Sequence, residues 1–407
     1  MLIHGGDLAA AGREYRSDRD DGGDNAAALM SSIRRRRDRL AGDVIDRLKG
    51  RFGDHLVTSY SSFVGPMTLE AGGEQYRCRS IVLAAGTAPT LPPGWKKAPG
   101  KVVTTDEFFE LETIPDTVLV VGLGFIGTEI GQALARLGKS VTAVEMTGNI
   151  AGITDPEVRG VFLSALEETV DVRLNTRALL KRIDREGIRV ELEKREGESE
   201  EKVFDLTVVA SGRKPPLERL HLDKSGLELD KKGFPVFDPE TLKCEGADVF
   251  LAGDFSLLAP FYHAAADQGK TAGYNAVHPD NLRPIPKRVP IAITFTRPAV
   301  CRVGLTFEEL PAETAVGESD LGKIARAAAD RIDYGILRIY GDRSRGLILG
   351  AEMAAPAGEH LAHLLAAMIG AEVTVEDALR LPFYHPTYEE GVQSALKKLR
   401  KKLENPK

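Results

Sequence analysis

Cysteine is scarce. The 407 residues contain three, Cys78, Cys244 and Cys301. They are too far apart for a C-x-x-C, a metal-ligand set or a disulfide framework, and each reads as a small buried hydrophobe. No apolar run approaches a membrane span, and Met1–Asp7 has neither a basic n-region nor an apolar h-region. Excess charge of one sign is also missing. A net charge of −6 and a pI of about 5.9 give no pull toward nucleic acid or an anionic membrane. Solenoid-period repeats and long low-complexity tracts are absent as well. A soluble, cytoplasmic protein without a metal site is the expectation, and the length suits about two or three domains.

What is present centres on Val118–Glu145, VLVVGLGFIGTEIGQALARLGKSVTAVE. Four apolar residues read as a buried strand. Gly122, Gly124 and Gly127 then form G-x-G-x-x-G. Ile130, Ala133, Leu134 and Leu137 follow at helical spacing, and Gly138 suits a C-cap. Ser140–Val144 reads as a second strand ending in Glu145. Gly122 permits the tight turn, Gly124 lets backbone approach a pyrophosphate, and Gly127 lets helix pack close to strand. The helix N-terminus offers free N–H groups to phosphate. Glu145 can accept hydrogen bonds from a ribose 2′-OH and would repel a 2′-phosphate, so NAD is expected over NADP.

Around this unit the chain alternates further elements. Met1–Ala11 reads helical and Arg13–Asn25 as a polar loop. Ser31–Lys49 reads as a helix with Ile33, Leu40, Val44 and Leu48 on one face. Its run Arg34–Arg37 has two readings, a solvated face or a contact with a phosphate or partner. Val57–Cys78 suggests short strands, and Ser80–Thr87 a buried strand before the Pro-rich linker around Pro89–Pro93. Asp155–Thr169 reads as a helix, Val172–Leu174 as a strand and Ile188–Lys202 as a hairpin. Phe204–Gly212 and Asp248–Asp254 suggest buried strands, and His263–Ala276 a helix. Past Pro284 the composition changes: Ile291–Phe295 and Tyr334–Tyr340 read as strands, Gly358–Ile369 as a helix. A last helix carries Val392, Leu396, Leu399 and Leu403 on one stripe.

Three strand ends, VLAAGT, VVASGR and VFLAGD, flank the nucleotide unit in order, and FYHPTYEE lies near the C-terminus. With these, the chain resembles the pyridine nucleotide–disulfide oxidoreductases, most closely their dihydrolipoyl dehydrogenase branch, from Met1 to about Leu399. The resemblance implies an α/β fold: two Rossmann-like nucleotide-binding domains and an α+β C-terminal dimerisation domain. The expected boundaries are 1–112 and 234–285 for an FAD-binding domain incomplete at its N-terminus, 113–233 for an NAD-binding domain and 286–407 for dimerisation. It implies FAD and NAD as cofactors, a homodimer, and lipoyl domains of a 2-oxoacid dehydrogenase complex as partners. Gly253 and Asp254 would face the flavin's ribityl–phosphate region, although Asp254 also reads as a helix N-cap. Thr87 would approach the same cofactor. Gly212 and Arg213 would close the second nucleotide sheet, with Pro215-Pro216 replacing the usual Pro-Asn. Glu129 would lie near the nicotinamide, or stand as a solvated helix carboxylate. His385 would be the acid–base residue serving the partner subunit's site, with Glu390 fixing its tautomer and Glu389 as the competing partner.

Two family features have no counterpart: the flavin-binding G-x-G-x-x-G and the C-x-x-x-x-C redox pair. Met1-Leu2-Ile3-His4 resembles the segment just after them, so about 30 residues or more, one βαβ start, are expected to be missing. A start codon placed too far downstream, or a truncated gene, is the expectation. Without the pair no mixed disulfide with substrate can form, so the chain as written would be inactive or impaired. Mercuric, glutathione and transhydrogenase-like reductases are the related alternatives. A non-catalytic NAD-binding dimeric remnant is the alternative from another class.

Overall fold

The computed structural model describes Leu2 and residues 25–404. The helical reading of Met1–Ala11 and the loop reading of Arg13–Asn25 therefore lie outside the described residues, apart from Leu2, which is buried, and Asn25 at a helix start. The chain divides into two compact units. Met1–Arg35, Thr90–Gly212 and Arg288–Lys407 form the first, and Arg36–Pro89 with Arg213–Lys287 form the second.

The first unit holds two five-stranded sheets. One is parallel, in the order Val102–Thr104, Leu206–Val209, Thr117–Val121, Ser140–Val144, Asp171–Arg173. Its central strands are near-continuous apolar runs because both faces are covered. The helix Phe125–Arg136 packs on one face through Ile130, Ala133 and Leu134. The three-stranded antiparallel sheet Thr176–Ile183, Ile188–Lys194, Ser199–Phe204 shares a core with the other face, and the single Trp95 sits there, its indole N–H bonded to Ala178 O at 3.0 Å. Leu137 and Gly138, at φ +87°, end the helix as expected.

The second large sheet is antiparallel, in the order Ile291–Thr294, Ala299–Gly304, Ile348–Ala355, Ile336–Gly341, Ala315–Asp320. The helices Gly358–Gly370 and Glu389–Glu404 pack on it, the latter burying Val392, Leu396 and Leu399. Three of these strands, Ala299–Gly304, Ala315–Asp320 and Ile348–Ala355, go beyond the sequence reading, as does Thr176–Ile183.

In the second unit Ser61–Gly65, Thr68–Ala71 and Glu74–Arg77 form an antiparallel meander. Ile81–Leu83 and Val249–Leu251 pair in parallel beneath the helix Tyr262–Val277. Ser80–Thr87 is thus a strand only over Ile81–Leu83, and Val82 is 38% exposed rather than buried. Phe204–Gly212 and Asp248–Asp254 shorten likewise, because Gly212 and Gly253 turn the backbone to positive φ.

Two expectations need correction. The helix read at Ser31–Lys49 runs from Asn25 to Phe52, and its apolar face is covered only at the N-terminal end. Ile33 is buried with Ala26 and Met30 in the first unit, while Leu40, Val44 and Leu48 are 62%, 46% and 40% exposed. Helical spacing continues past the segment whose neighbours cover it. Within the arginine run, Arg34 donates to the sequence-distant Leu111 O, Arg35 to Ser31 Oγ, and Arg37 meets Asp38. Second, Cys78 is only half-buried at the edge of its cluster, whereas Cys244 and Cys301 are buried. Burial pushes the Cys244 thiol up to about 12 and raises Cys301 further, so both stay protonated.

Candidate functional site

The strand Thr117–Val121 ends at Gly122, φ +97°, where a Cβ would lie 2.6 Å from Ala210 O. At Gly127 a Cβ would lie 1.9 Å from Gly122 O. These two glycines are required by backbone packing within the protein. Gly124 differs: nothing lies within 4 Å of its added Cβ, and it begins the helix Phe125–Arg136 without a side-chain cap or an acidic first turn. The open side at Gly124 suits an anionic pyrophosphate laid on the helix N-terminus. The buried Thr128 hydroxyl donates toward Leu123 O and Gly124 O at 2.9 and 2.8 Å, holding the loop from inside.

Glu145 follows the strand Ser140–Val144 and reaches back to the same loop. Its carboxylate accepts from Leu123 N–H at 2.9 Å and from Thr147 N–H and Oγ1 at 3.0 Å. Three protein donors fix its orientation, and a carboxylate with about four lone-pair sites keeps room for a ribose hydroxyl. The loop, open glycine and oriented acid fit NAD.

Beside the helix lies a cleft of about 660 Å³, lined by residues that include Ile126, Glu129, Phe295, Arg297, Asp330 and Tyr388. Glu129 is not a solvated carboxylate. It is partly buried and accepts Phe295 N–H at 2.8 Å. Burial pushes its pKa above the ordinary carboxylate value, against the opposing pull of that N–H bond. Three residues on, Gln132 exchanges two hydrogen bonds with the Arg297 backbone, both at 2.7 Å. Gln132 belongs to no motif, and only its place one turn after Glu129 could have pointed to it.

In the second unit, Ala252 N–H bonds Leu83 O at 2.9 Å and brings the ends of the parallel pair together. Gly253, φ +66°, and Asp254 start the short turn Gly253–Ser256. Asp254 is half-exposed, and among the described residues its carboxylate has no hydrogen-bond partner. It is not a helix N-cap: that position before Tyr262–Val277 belongs to Phe261. Thr87 and Arg213 lie together, the guanidinium donating to Thr87 Oγ1 at 3.0 Å and Thr87 O at 2.8 Å. Arg213 therefore ties two antiparallel segments, Ala88–Pro89 and Arg213–Lys214. Gly212, φ +107°, accepts from Thr90 N–H at 2.9 Å. An unpartnered carboxylate at a strand end fits the ribityl side of a flavin. The sequence has a single G-x-G, at Gly122–Gly124, so a second pyrophosphate loop is not among these residues.

His385 and Glu390 are brought together. His385 Nδ1 lies 3.0 and 3.1 Å from the two Glu390 oxygens. Thr387 N–H adds a bond to Glu390 at 3.2 Å, and Thr387 Oγ1 closes the turn onto Tyr384 O at 2.8 Å. The His385 ring and the Thr387 N–H together hold the Glu390 carboxyl below its usual range. Glu389 is not the partner. With Nδ1 engaged by Glu390, Nε2 has no hydrogen-bond partner among the described residues, and the side chain is exposed.

Among the described residues no group of three or more His, Cys, Asp or Glu could hold a metal ion, and no helix is long and apolar enough to cross a membrane.

Comparison with known proteins agrees with this geometry. Residues 13–269 match the family described as pyridine nucleotide-disulphide oxidoreductase, and residues 290–396 match that family's dimerisation domain. A dihydrolipoyl dehydrogenase of Thermus scotoductus is 33% identical over 372 residues, 89% of this chain and 79% of the relative. A mercuric reductase of Bacillus cereus is 28% identical, covering 85% of this chain and 55% of the relative. The crystal structure of LpdA from Mycobacterium tuberculosis superposes with a TM-score of 0.83 at 21% identity, over 98% of this chain and 88% of that one, and shares the fold. The chain belongs to the pyridine nucleotide-disulphide oxidoreductases, flavoproteins that work with FAD and NAD(H), and it carries their dimerisation domain.

Proposed function

We propose that the protein is a dihydrolipoyl dehydrogenase-type flavoprotein that uses NAD rather than NADP. The observation that carries this reading is the Glu145 carboxylate, fixed by Leu123 N–H against the dinucleotide loop. In that position it accepts from a ribose diol and repels a 2′-phosphate. When bound, FAD supplies a two-electron acceptor between a dithiol and NAD. The chain's own residues hold and move protons around it. Neutral His385, with Nδ1–H donated to Glu390, takes a thiol proton at Nε2 and returns it. Gly122, Gly124 and Gly127 seat the pyrophosphate of NAD, and Glu129 borders the nicotinamide end. Thr87, Gly253 and Asp254 face the flavin, and Arg213 holds Thr87 in place through two hydrogen bonds.

The domains follow the boundaries 1–112 and 234–285 for FAD, 113–233 for NAD and 286–407 for dimerisation. The protein works as a cytoplasmic homodimer in which His385 serves the neighbouring subunit. Its partners are lipoyl domains.

The three cysteines favour a second reading for the chain as it stands. All are free, and none forms a C-x-x-x-x-C pair. The dithiol step needs such a pair. The alternative is accordingly a non-catalytic NAD-binding dimer without disulfide chemistry. A visible spectrum after incubation with FAD separates the two. The first reading predicts a yellow protein whose flavin band bleaches on anaerobic addition of NADH. A protein that stays colourless after FAD but still binds NADH leaves only the second.

A further inference from the structure

We propose that Tyr388 is the positioning residue that fixes the His385 imidazole in its working orientation, through a link to Asp330 and Arg326. The inference rests on the reading of His385 as the acid–base residue. An exposed side chain on a turn has no packing to orient it, and His385 is 68% exposed. From Leu381 to Glu390, Tyr388 alone is buried. Its phenol donates to Asp330 Oδ2 at 2.9 Å, and Asp330 accepts Arg326 Nε–H at 2.8 Å. Asp330 caps the C-terminal end of the short helix Ala325–Ala329, a different element of the same unit.

The other bonds of the turn are internal: Thr387 to Tyr384 and to Glu390, and Gly391 N–H to Tyr388 O at 2.9 Å. They set its shape but not its direction. Tyr388 ties that shape to the rest of the dimerisation sheet. Burial, helped by Asp330, pushes the phenol up to about 12, so it remains a neutral donor. Glu390 sits on the helix Glu389–Glu404, anchored by buried Val392 and Leu396, so without this tie the preceding turn would shift against that helix and Nδ1 would lose its fixed acceptor.

The tautomer of His385 reads this directly, because the hydrogen bond at one ring nitrogen selects which nitrogen carries the proton. Long-range 1H–15N spectra of the neutral imidazole, assigned by the loss of signals in His385→Gln, give the ratio of Nδ1–H to Nε2–H forms. Wild type should favour Nδ1–H. Tyr388→Phe and Asp330→Ala should each shift the ratio toward Nε2–H by at least ~3-fold, the scale of one net hydrogen bond. Asp330→Asn keeps an oxygen for the phenol and should restore most of the wild-type ratio. An unchanged ratio in both Tyr388→Phe and Asp330→Ala, whatever their melting temperatures, would overturn the inference while leaving the His385–Glu390 pair intact. A wild type with no Nδ1–H preference would overturn the pair itself and this device with it.

Discussion

Gly124 and Gly127 stand three positions apart, and a methyl group at each would meet very different surroundings. At Gly127 it would meet Gly122 O at 1.9 Å, and at Gly124 nothing within 4 Å. Gly127→Ala should therefore cost about 1–3 kcal/mol of stability. Gly124→Ala should melt with wild type yet lose NADH affinity by at least ~10-fold, because its open side is where the pyrophosphate would lie. Calorimetric titration together with thermal melts checks both, and equal melting losses in the two variants would contradict the assignment. Glu129 gives a pH signature. Its carboxyl is raised above the ordinary 4.5 by burial. Its contribution to stability is thus fully present below that value and is lost as pH rises through the raised one. Glu129→Gln keeps an oxygen for Phe295 N–H but carries no charge. Its melting temperature should gain on wild type as pH rises from acid to neutral, and parallel curves would refute the burial cost. At this scale the glycines and Glu145 could be read from spacing, and His385 with Glu390 from the family resemblance that FYHPTYEE carries. Thr128, Gln132 and Tyr388 could not: Thr128 holds the carbonyls of its own loop, while Gln132 and Tyr388 bond to Arg297 and Asp330, far away in sequence, and no motif spacing marks such bonds.

Elements were legible where both faces of a strand are apolar and hidden where packing needs small or charged residues. Ala315–Asp320 reads AVGESD, a poor strand by propensity. Gly317 is there because the helix Glu389–Glu404 passes so close that a Cβ would lie 2.2 Å from Ala395 O. Ile348–Ala355 hides a fully buried Glu352, which accepts Thr154 N–H at 2.9 Å, Asp155 N–H at 3.0 Å and Phe307 N–H at 3.0 Å. Asp155, also fully buried, caps the helix Pro156–Glu167 and accepts Arg338 Nη1 at 2.6 Å and Tyr340 OH at 2.8 Å. This polar cluster joins the nucleotide helix layer to the dimerisation sheet within one unit. Asp155→Ala removes the cap and the nearer of Arg338's two carboxylates, leaving Glu318 at 3.6 Å, so it should cost about 3 kcal/mol in chemical unfolding. A loss under ~1 kcal/mol would mean that the cluster contributes little.

At the scale of the whole molecule, the nucleotide and dimerisation parts share a unit with continuous buried cores, and every expected site residue there has defined partners or a defined opening. The second unit contrasts with it. Its parallel sheet has two strands, and the stripe Leu40, Val44 and Leu48 faces outward. The helical period of that stripe was legible, but its exposure was not, since periodicity says which residues share a face and nothing about what covers it.

We propose a dinucleotide site selective for NAD, built on Gly122–Gly127 and Glu145. Calorimetric titration of the purified protein with NADH and with NADPH, repeated on Glu145→Arg, tests it most directly. NADH should bind at least ~10-fold tighter than NADPH, about 1.4 kcal/mol, with the preference lost or reversed in Glu145→Arg. Equal affinities in wild type, or a preference that the substitution leaves untouched, would contradict it.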